Sequence, residues 1–378
     1  MKKDIERLKV ENNGKTNYLT HNFHTYPAKY IPQIPRYFIE KYTNEGDWIY
    51  EPFLGCGTTL VECKLLNRNG IGIDSNPIAT LVSNSKTRNL SSKEIIVIQN
   101  FIEEIESVIS KRDKKFHTIH SSLNVTEFDN KDHWFQENVQ IEISFLKISI
   151  KKINNDSVQV FLNVCLSSII VEVSNQESDT RYASKNKDIQ NFKTLEVFVK
   201  KCKMMIDRIS QYSELSSDST VKIYTQSSES VPFIKNESID LVVTSPPYAN
   251  TYDYYLYHKS RMNWLDYDFK SVQQVEIGSR DKHSSKKLEI DNFLTSLDRC
   301  FGEVCRVLKK GKYAVIVIGD SVIRGEFYNA MDFTERIFNK YNLKLVDSSS
   351  TNLKETTRMF NPKFTNSLKS EHILIFKK

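Results

Sequence analysis

The chain has 378 residues, 39% hydrophobic and 26% charged, the balance of an ordinary globular protein and not of a disordered or membrane-spanning one. Its formal net charge of +6 is compatible with a polyanionic partner without demanding one. Six scattered cysteines with no Cys-x-x-Cys pair argue against a zinc centre, and the charged start MKKDIERLKVENNGK argues against a secretion signal, a membrane anchor and a disulfide framework. The expectation is a cytoplasmic protein with reduced cysteines, no metal and no membrane partner.

Along the chain, short apolar runs alternate with helical patterns, the signal of βαβ units and a mostly parallel sheet. The predicted strands are Trp48 to Tyr50, Gly70 to Ile73, Val221 to Tyr224, Ile239 to Val243, Tyr313 to Ile318, Lys344 to Asp347 and His372 to Phe376. A helical stripe through Phe293, Leu297, Phe301, Val304 and Leu308 precedes the fifth strand, with Gly311 as its expected C-cap, and Asp332 to Tyr341 forms a helix before the sixth. From about 89 to 220 the alternation stops. Ile95 to Ile109, Phe135 to Ile153 and Val158 to Ile170 have helical spacing, so the chain divides into an α/β domain over 1–89 and 221–378 and a helical insertion over 90–220. Basic clusters at 111–115, 185–187 and 200–203 make the insertion a candidate face for a polyanion.

Directly after the first strand comes Glu51-Pro52-Phe53-Leu54-Gly55-Cys56-Gly57-Thr58-Thr59, followed by a helix from Leu60. Gly55 and Gly57 let the chain turn sharply and let a ligand approach the backbone at a helix N-terminus. The second strand ends in Asp74-Ser75, and an acid there can accept hydrogen bonds from both hydroxyls of a ribose. Neither the third glycine of a dinucleotide fingerprint nor a P-loop lysine is present, so a nucleoside cofactor without a pyrophosphate suits this loop best.

The fourth strand runs into Ser245-Pro246-Pro247-Tyr248. Two prolines end the strand and fix the backbone at the edge of the sheet where ligands bind. An exocyclic base amine is a poor nucleophile because its lone pair is delocalised into the ring. The Ser245 hydroxyl and the Pro246 carbonyl can both accept its N–H bonds and favour a tetrahedral nitrogen, held in place by rigid proline rings. Tyr248 offers an aromatic face to a base swung out of the duplex.

With these residues in place, the chain resembles the amino-group DNA methyltransferases of restriction–modification systems. Phe53-Leu54-Gly55-Cys56-Gly57 is similar to their cofactor motif and Ser245-Pro246-Pro247-Tyr248 to their catalytic motif, while His24-Thr25-Tyr26-Pro27-Ala28-Lys29-Tyr30 resembles the N-terminal motif that closes over the methionine end of the cofactor. The resemblance implies a seven-stranded Rossmann-like methyltransferase fold with S-adenosyl-L-methionine as cofactor and double-stranded DNA as substrate. Tyr26, Pro27, Glu51, Phe53, Gly55, Gly57, Thr58, Asp74 and Ser75 would hold the cofactor, and Ser245 to Tyr248 would be catalytic. A serine opening the tetrapeptide is commoner in the family among enzymes acting on cytosine N4 than on adenine N6, so N4-cytosine methylation is implied. N6-adenine methylation is the first alternative, and an RNA amino-methyltransferase and a non-catalytic DNA-binding relative are the others. A restriction endonuclease acting separately is the implied companion, and the insertion is the implied target-recognition region. Glu51 stands where the family usually has Asp, and Gln226-Ser227 where an acid often lies near the adenine ring.

Two further segments carry expectations. Tyr252, Tyr254, Tyr255 and Tyr257, interleaved with His258, Lys259, Arg261 and Trp264, suit a DNA grip and a packed amphipathic helix equally. Residues 277–287 read as a mobile basic loop, and Asp320 as a structural acid closing the fifth strand.

Overall fold

Strand residues point alternately to opposite faces of a sheet, so a strand covered on both sides reads as a continuous apolar run. This is how the central strands are built in the computed structural model of the protein, which describes residues 15–123, 126–179, 181–286, 288–352 and 369–378. Ile49, Leu241, Val243, Val315 and Val317 face one side, against Phe38 and Leu60 of the helices Gln33–Tyr42 and Thr58–Leu65. Tyr50, Val242, Ala314, Ile316 and Ile318 face the other, against Phe293, Phe301 and Phe338 of Ile290–Val307 and Ala330–Lys340.

In chain order the strands are β1 (Trp48–Glu51), β2 (Asn69–Asp74), β3 (Gln176–Ser178), β4 (Arg181–Ser184), β5 (Val221–Thr225), β6 (Ile239–Thr244), β7 (Leu308–Gly319), β8 (Ser321–Ile323), β9 (Glu326–Tyr328), β10 (Lys344–Asn352) and β11 (Ser370–Lys377). Seven of them form one sheet in the order β10-β11-β7-β6-β1-β2-β5. Five of these, from β7 to β5, are parallel neighbours, whereas β11 lies antiparallel between β7 and β10. The strand order reverses between β1 and β6, and that switch point is where open α/β sheets bind ligands. The loops after β1 and β6 are the glycine loop and the proline tetrapeptide.

Three expectations need correction. The insertion holds a β-hairpin, β3–β4, among its helices; both strands are too short to show an alternating pattern. Gly311 is not a helix cap. The helix Ile290–Val307 passes straight into extended backbone at Leu308. Gly311 (φ +75°) instead lies in the register break where β6 pairs Ile239 with Leu308 but Leu241 with Tyr313. Finally, residues 277–286 are folded back on the protein, with Ser279 and His283 buried and the Lys282 ammonium donating to the carbonyls of Gln274 and Glu276. Lys287 lies outside the described residues.

The insertion shares its apolar core with the catalytic half. Val158, Leu162, Cys165 and Phe198 belong to one buried cluster with Phe23, Ile78, Val82 and Trp264. Several of its basic residues are engaged internally: Arg112 pairs with Glu196 at 2.8 Å and Lys203 with Glu106 at 2.6 Å, while Lys201 donates to the Asn22 carbonyl. Among the described residues, no helix is long and apolar enough to cross a membrane. All six cysteines are buried and unpaired.

Candidate active site

The glycine loop takes its shape from backbone conformations that only glycine adopts freely. Gly55 and Gly57 sit at φ +50° and +76°, and a Cβ on Gly57 would lie 2.6 Å from the Ser83 hydroxyl oxygen. Gly57 caps the helix Thr58–Leu65, so that helix starts in the loop. Asp74, at the end of β2, accepts the Gly55 N–H at 2.8 Å on one carboxylate oxygen and the Asn76 N–H at 2.9 Å on the other. Its depth in the protein pushes its carboxyl up to about 6, with the two N–H donors opposing the shift.

A single cleft of about 890 Å³, counting space open to solvent, runs from this loop to the tetrapeptide. Of the residues singled out by sequence, Tyr26, Pro27, Phe53, Gly55, Thr58, Asp74, Ser75, Ser245 and Pro247 line it. Glu51, Gly57, Pro246 and Tyr248 do not, and each is the immediate sequence neighbour of a residue that does.

Glu51 is buried in a polar knot. Its carboxylate accepts the hydroxyls of Tyr30 at 2.5 Å and Thr59 at 2.7 Å and the Phe53 N–H at 3.3 Å. Burial pushes it up to about 7 against those donors. Tyr30 belongs to the N-terminal motif, so Glu51 ties that segment to the glycine loop. Tyr26 packs its ring on His258 with centroids 4.7 Å apart, and a Cβ on Gly55 would sit 3.5 Å from the same ring.

On the tetrapeptide side, β6 ends at Thr244 and Tyr248 lies half-buried with its hydroxyl donating to Glu371 at 2.8 Å. The helix Tyr254–Trp264 that follows is a packed element. His258, Arg261 and Trp264 are buried, and the Arg261 guanidinium donates to the Ser167 carbonyl and to Asp179 of the insertion. Packing therefore accounts for most of the aromatic and basic residues there, with Tyr254 alone lining the cleft. Asp320 is structural as expected, accepting the N–H groups of Ala330 and Ser370 and a bond from His372.

Cleft residues to which the sequence assigned no cofactor-binding or catalytic role include Gln226, Ser227, Asn76 and Glu276. Gln226 and Ser227, the departures from the family pattern, both line the wall. Asn76 caps the helix Pro77–Thr87 through its side-chain oxygen, while its buried Nδ2 donor has no partner among the described residues. Glu276 is buried, accepts the N–H groups of Tyr254 and Tyr255 at 2.9 and 2.7 Å, and is pushed up to about 8, chiefly by burial. The Asn-Pro pair marks Asn76 as a helix start; nothing local marks Glu276.

Comparison with known proteins follows the same residues. The chain is 28% identical over 382 residues to the type II methyltransferase M.MvaI of Kocuria varians, across 88% of this chain and 83% of that one. To M.MjaII of Methanocaldococcus jannaschii it is 24% identical, across 79% and 72%. A solved putative DNA modification methylase of Thermus thermophilus, complexed with S-adenosyl-L-methionine, is 24% identical over 38% of this chain and 49% of that chain, with a TM-score of 0.23. The DNA methylase family model matches residues 3–84 and 239–378, more than half of the sequence and both walls of the cleft, and the chain belongs to that family.

Proposed function

We propose that this DNA methyltransferase moves the methyl group of S-adenosyl-L-methionine to the exocyclic N4 of cytosine in duplex DNA. The observation that carries the reading is the single cleft joining Asp74 at the end of β2 to Ser245 at the end of β6.

The cleft fits that cofactor. Asp74 spends one acceptor position of each oxygen on backbone N–H groups and keeps the others for ribose hydroxyls. The orphaned Asn76 donor suits a ligand acceptor. Phe53, Leu54 and Ile277 supply apolar wall, and Tyr26 and Pro27 close the other side. S-adenosyl-L-methionine supplies a methyl group made electrophilic by a sulfonium. The protein's own part is positioning. Ser245 and the Pro246 carbonyl accept the N–H bonds of the target amine and turn its lone pair out of conjugation, and Tyr248 stacks on the flipped base. No protein nucleophile is required. Glu51 acts from behind, holding the N-terminal motif against the loop through Tyr30 and Thr59.

Cytosine is favoured by the serine that opens the tetrapeptide. The insertion is the proposed target-reading region, supported by its bonds to two segments that also contribute cleft residues, the N-terminal motif (His24 to Ser167 at 3.0 Å) and the helix Tyr254–Trp264 (Arg261 to Ser167 and Asp179). A restriction endonuclease acting on the same site fits relatives that are type II methyltransferases.

The test is incubation of purified protein with unmethylated plasmid and methyl-labelled S-adenosyl-L-methionine, followed by nucleoside mass spectrometry. N4-methylcytosine is expected. N6-methyladenine would keep the mechanism and overturn the base assignment, and an absence of methylated nucleosides would overturn the DNA reading.

A further inference from the structure

Tyr248 is the one tetrapeptide residue whose side chain is held by distant strands. β7 and β11 run antiparallel, and Gly319 and Glu371 are direct cross-strand partners. The Tyr248 ring lies over Gly319: a Cβ there would come within 2.7 and 2.8 Å of ring carbons Cε2 and Cδ2. Beside that gap, the Glu371 carboxylate accepts the Tyr248 hydroxyl at 2.8 Å.

The strand ends that carry this pair are stapled together. The Asp320 N–H donates to the Ser370 carbonyl and the Ser370 N–H to the Asp320 carboxylate, both at 2.9 Å. His372 reaches the same carboxylate at 3.0 Å. Burial would raise Asp320, but the bonds from His372, Ala330 and Ser370 hold it below the ordinary value, so the staple is ionised near neutrality.

We propose that Gly319 and Glu371 form a socket for the Tyr248 ring, with Glu371 a positioning residue for methyl transfer; this rests on the reading of Tyr248 as the residue that stacks on the target base. The missing Cβ admits the ring edge, and the carboxylate anchors the hydroxyl end, so the two together fix where the ring lies. A phenol donating to a carboxylate also carries more electron density on its ring face. That face then favours a base whose amine gains positive charge as the methyl arrives, as an aromatic face favours any cation. Burial first, and the Glu371 charge after it, hold the Tyr248 proton well above its ordinary value, so the hydroxyl remains the donor.

The test is a double-mutant cycle on the full chain, read by turnover with labelled S-adenosyl-L-methionine and by thermal unfolding. Glu371→Ala and Tyr248→Phe should each lower turnover about 10- to 100-fold, the scale of a hydrogen bond to a charged group. The double variant should be no slower than the worse single one, and cofactor affinity should stay within about twofold. Glu371→Gln, whose amide oxygen still accepts the hydroxyl but carries no charge, should recover part of the turnover lost in Glu371→Ala. Gly319→Ala should slow turnover by displacing the ring. Additive losses in the double variant, or wild-type turnover in Glu371→Ala, would overturn the socket. If the wild-type protein methylates no DNA, the functional reading fails by itself. The melting temperatures then decide the socket: non-additive shifts for Glu371→Ala and Tyr248→Phe support it, and additive ones reject it.

Discussion

Two loops meet in the cleft, and they are stiffened by opposite means. The loop after β1 is held by the strand and helix that follow it, 19 to 30 residues on: Leu54 N–H to the Ile73 carbonyl at 2.9 Å, Gly55 N–H to Asp74, the Ser83 hydroxyl to the Gly55 carbonyl at 3.1 Å, and the Lys86 ammonium to the Cys56 carbonyl at 2.7 Å. The loop after β6 is stiffened by two proline rings and then gripped at Tyr248 by Glu371, 123 residues further on. A loop made rigid within one strand–loop–helix unit declares itself in a motif. One made rigid by remote strands shows only half of its design in the sequence around it.

The contrast predicts a clean division of labour. Ser245→Ala or Tyr248→Ala should lower turnover about 100- to 1,000-fold, the scale seen when a preorganised transition-state contact is removed. Cofactor affinity, read by calorimetric titration, should stay within about twofold; wild-type turnover in Tyr248→Ala would break the division outright.

Asp74→Ala should do the reverse. It should weaken cofactor binding about 10- to 100-fold while turnover at saturating cofactor is kept. A fall in saturated turnover as large as that in affinity would show that the two loops act as one unit.

Gly57→Ala probes the backbone of the first loop. With φ at +76° and a Cβ 2.6 Å from the Ser83 oxygen, it should destabilise the fold by about 1–3 kcal/mol, seen as a lower melting temperature. An unchanged melting temperature would mean that the loop adjusts freely.

The pH dependence of the first loop is smaller and has a definite sign. Asp74 is raised from 3.8 to about 6. A raised carboxyl favours the protonated fold, so its contribution to stability is full below its unfolded value and is lost as pH rises from about 4 to 6. Ribose hydroxyls need the ionised acceptor, so cofactor affinity should move the other way and drop as pH falls below about 6. Asp74→Asn should flatten both slopes. The smallest effect is expected at the exposed Arg112–Glu196 pair, where Glu196→Ala should change stability by less than about 1 kcal/mol.

All seven strands of the main sheet, the glycine loop, the acid that ends β2 and the tetrapeptide were legible in the sequence. Those features rest on near neighbours: the largely apolar run Ile239 to Val243, glycines at positive φ beside a helix start, and prolines that cannot extend a strand. Contacts between separate elements that no motif spans were set by the packing. The Glu51–Tyr30 tie, the burial of Glu276 against Tyr254 and Tyr255, and the engagement of Arg261 with the insertion each join segments that no local pattern links. Gly311 shows the same limit, since glycine suits both a helix cap and a strand bulge, and only the pairing of β6 with β7 chose between them. The Gly319–Glu371 socket is the strongest case. A glycine and a glutamate carry no local signal, and the antiparallel register of β7 and β11 alone sets them side by side under the Tyr248 ring.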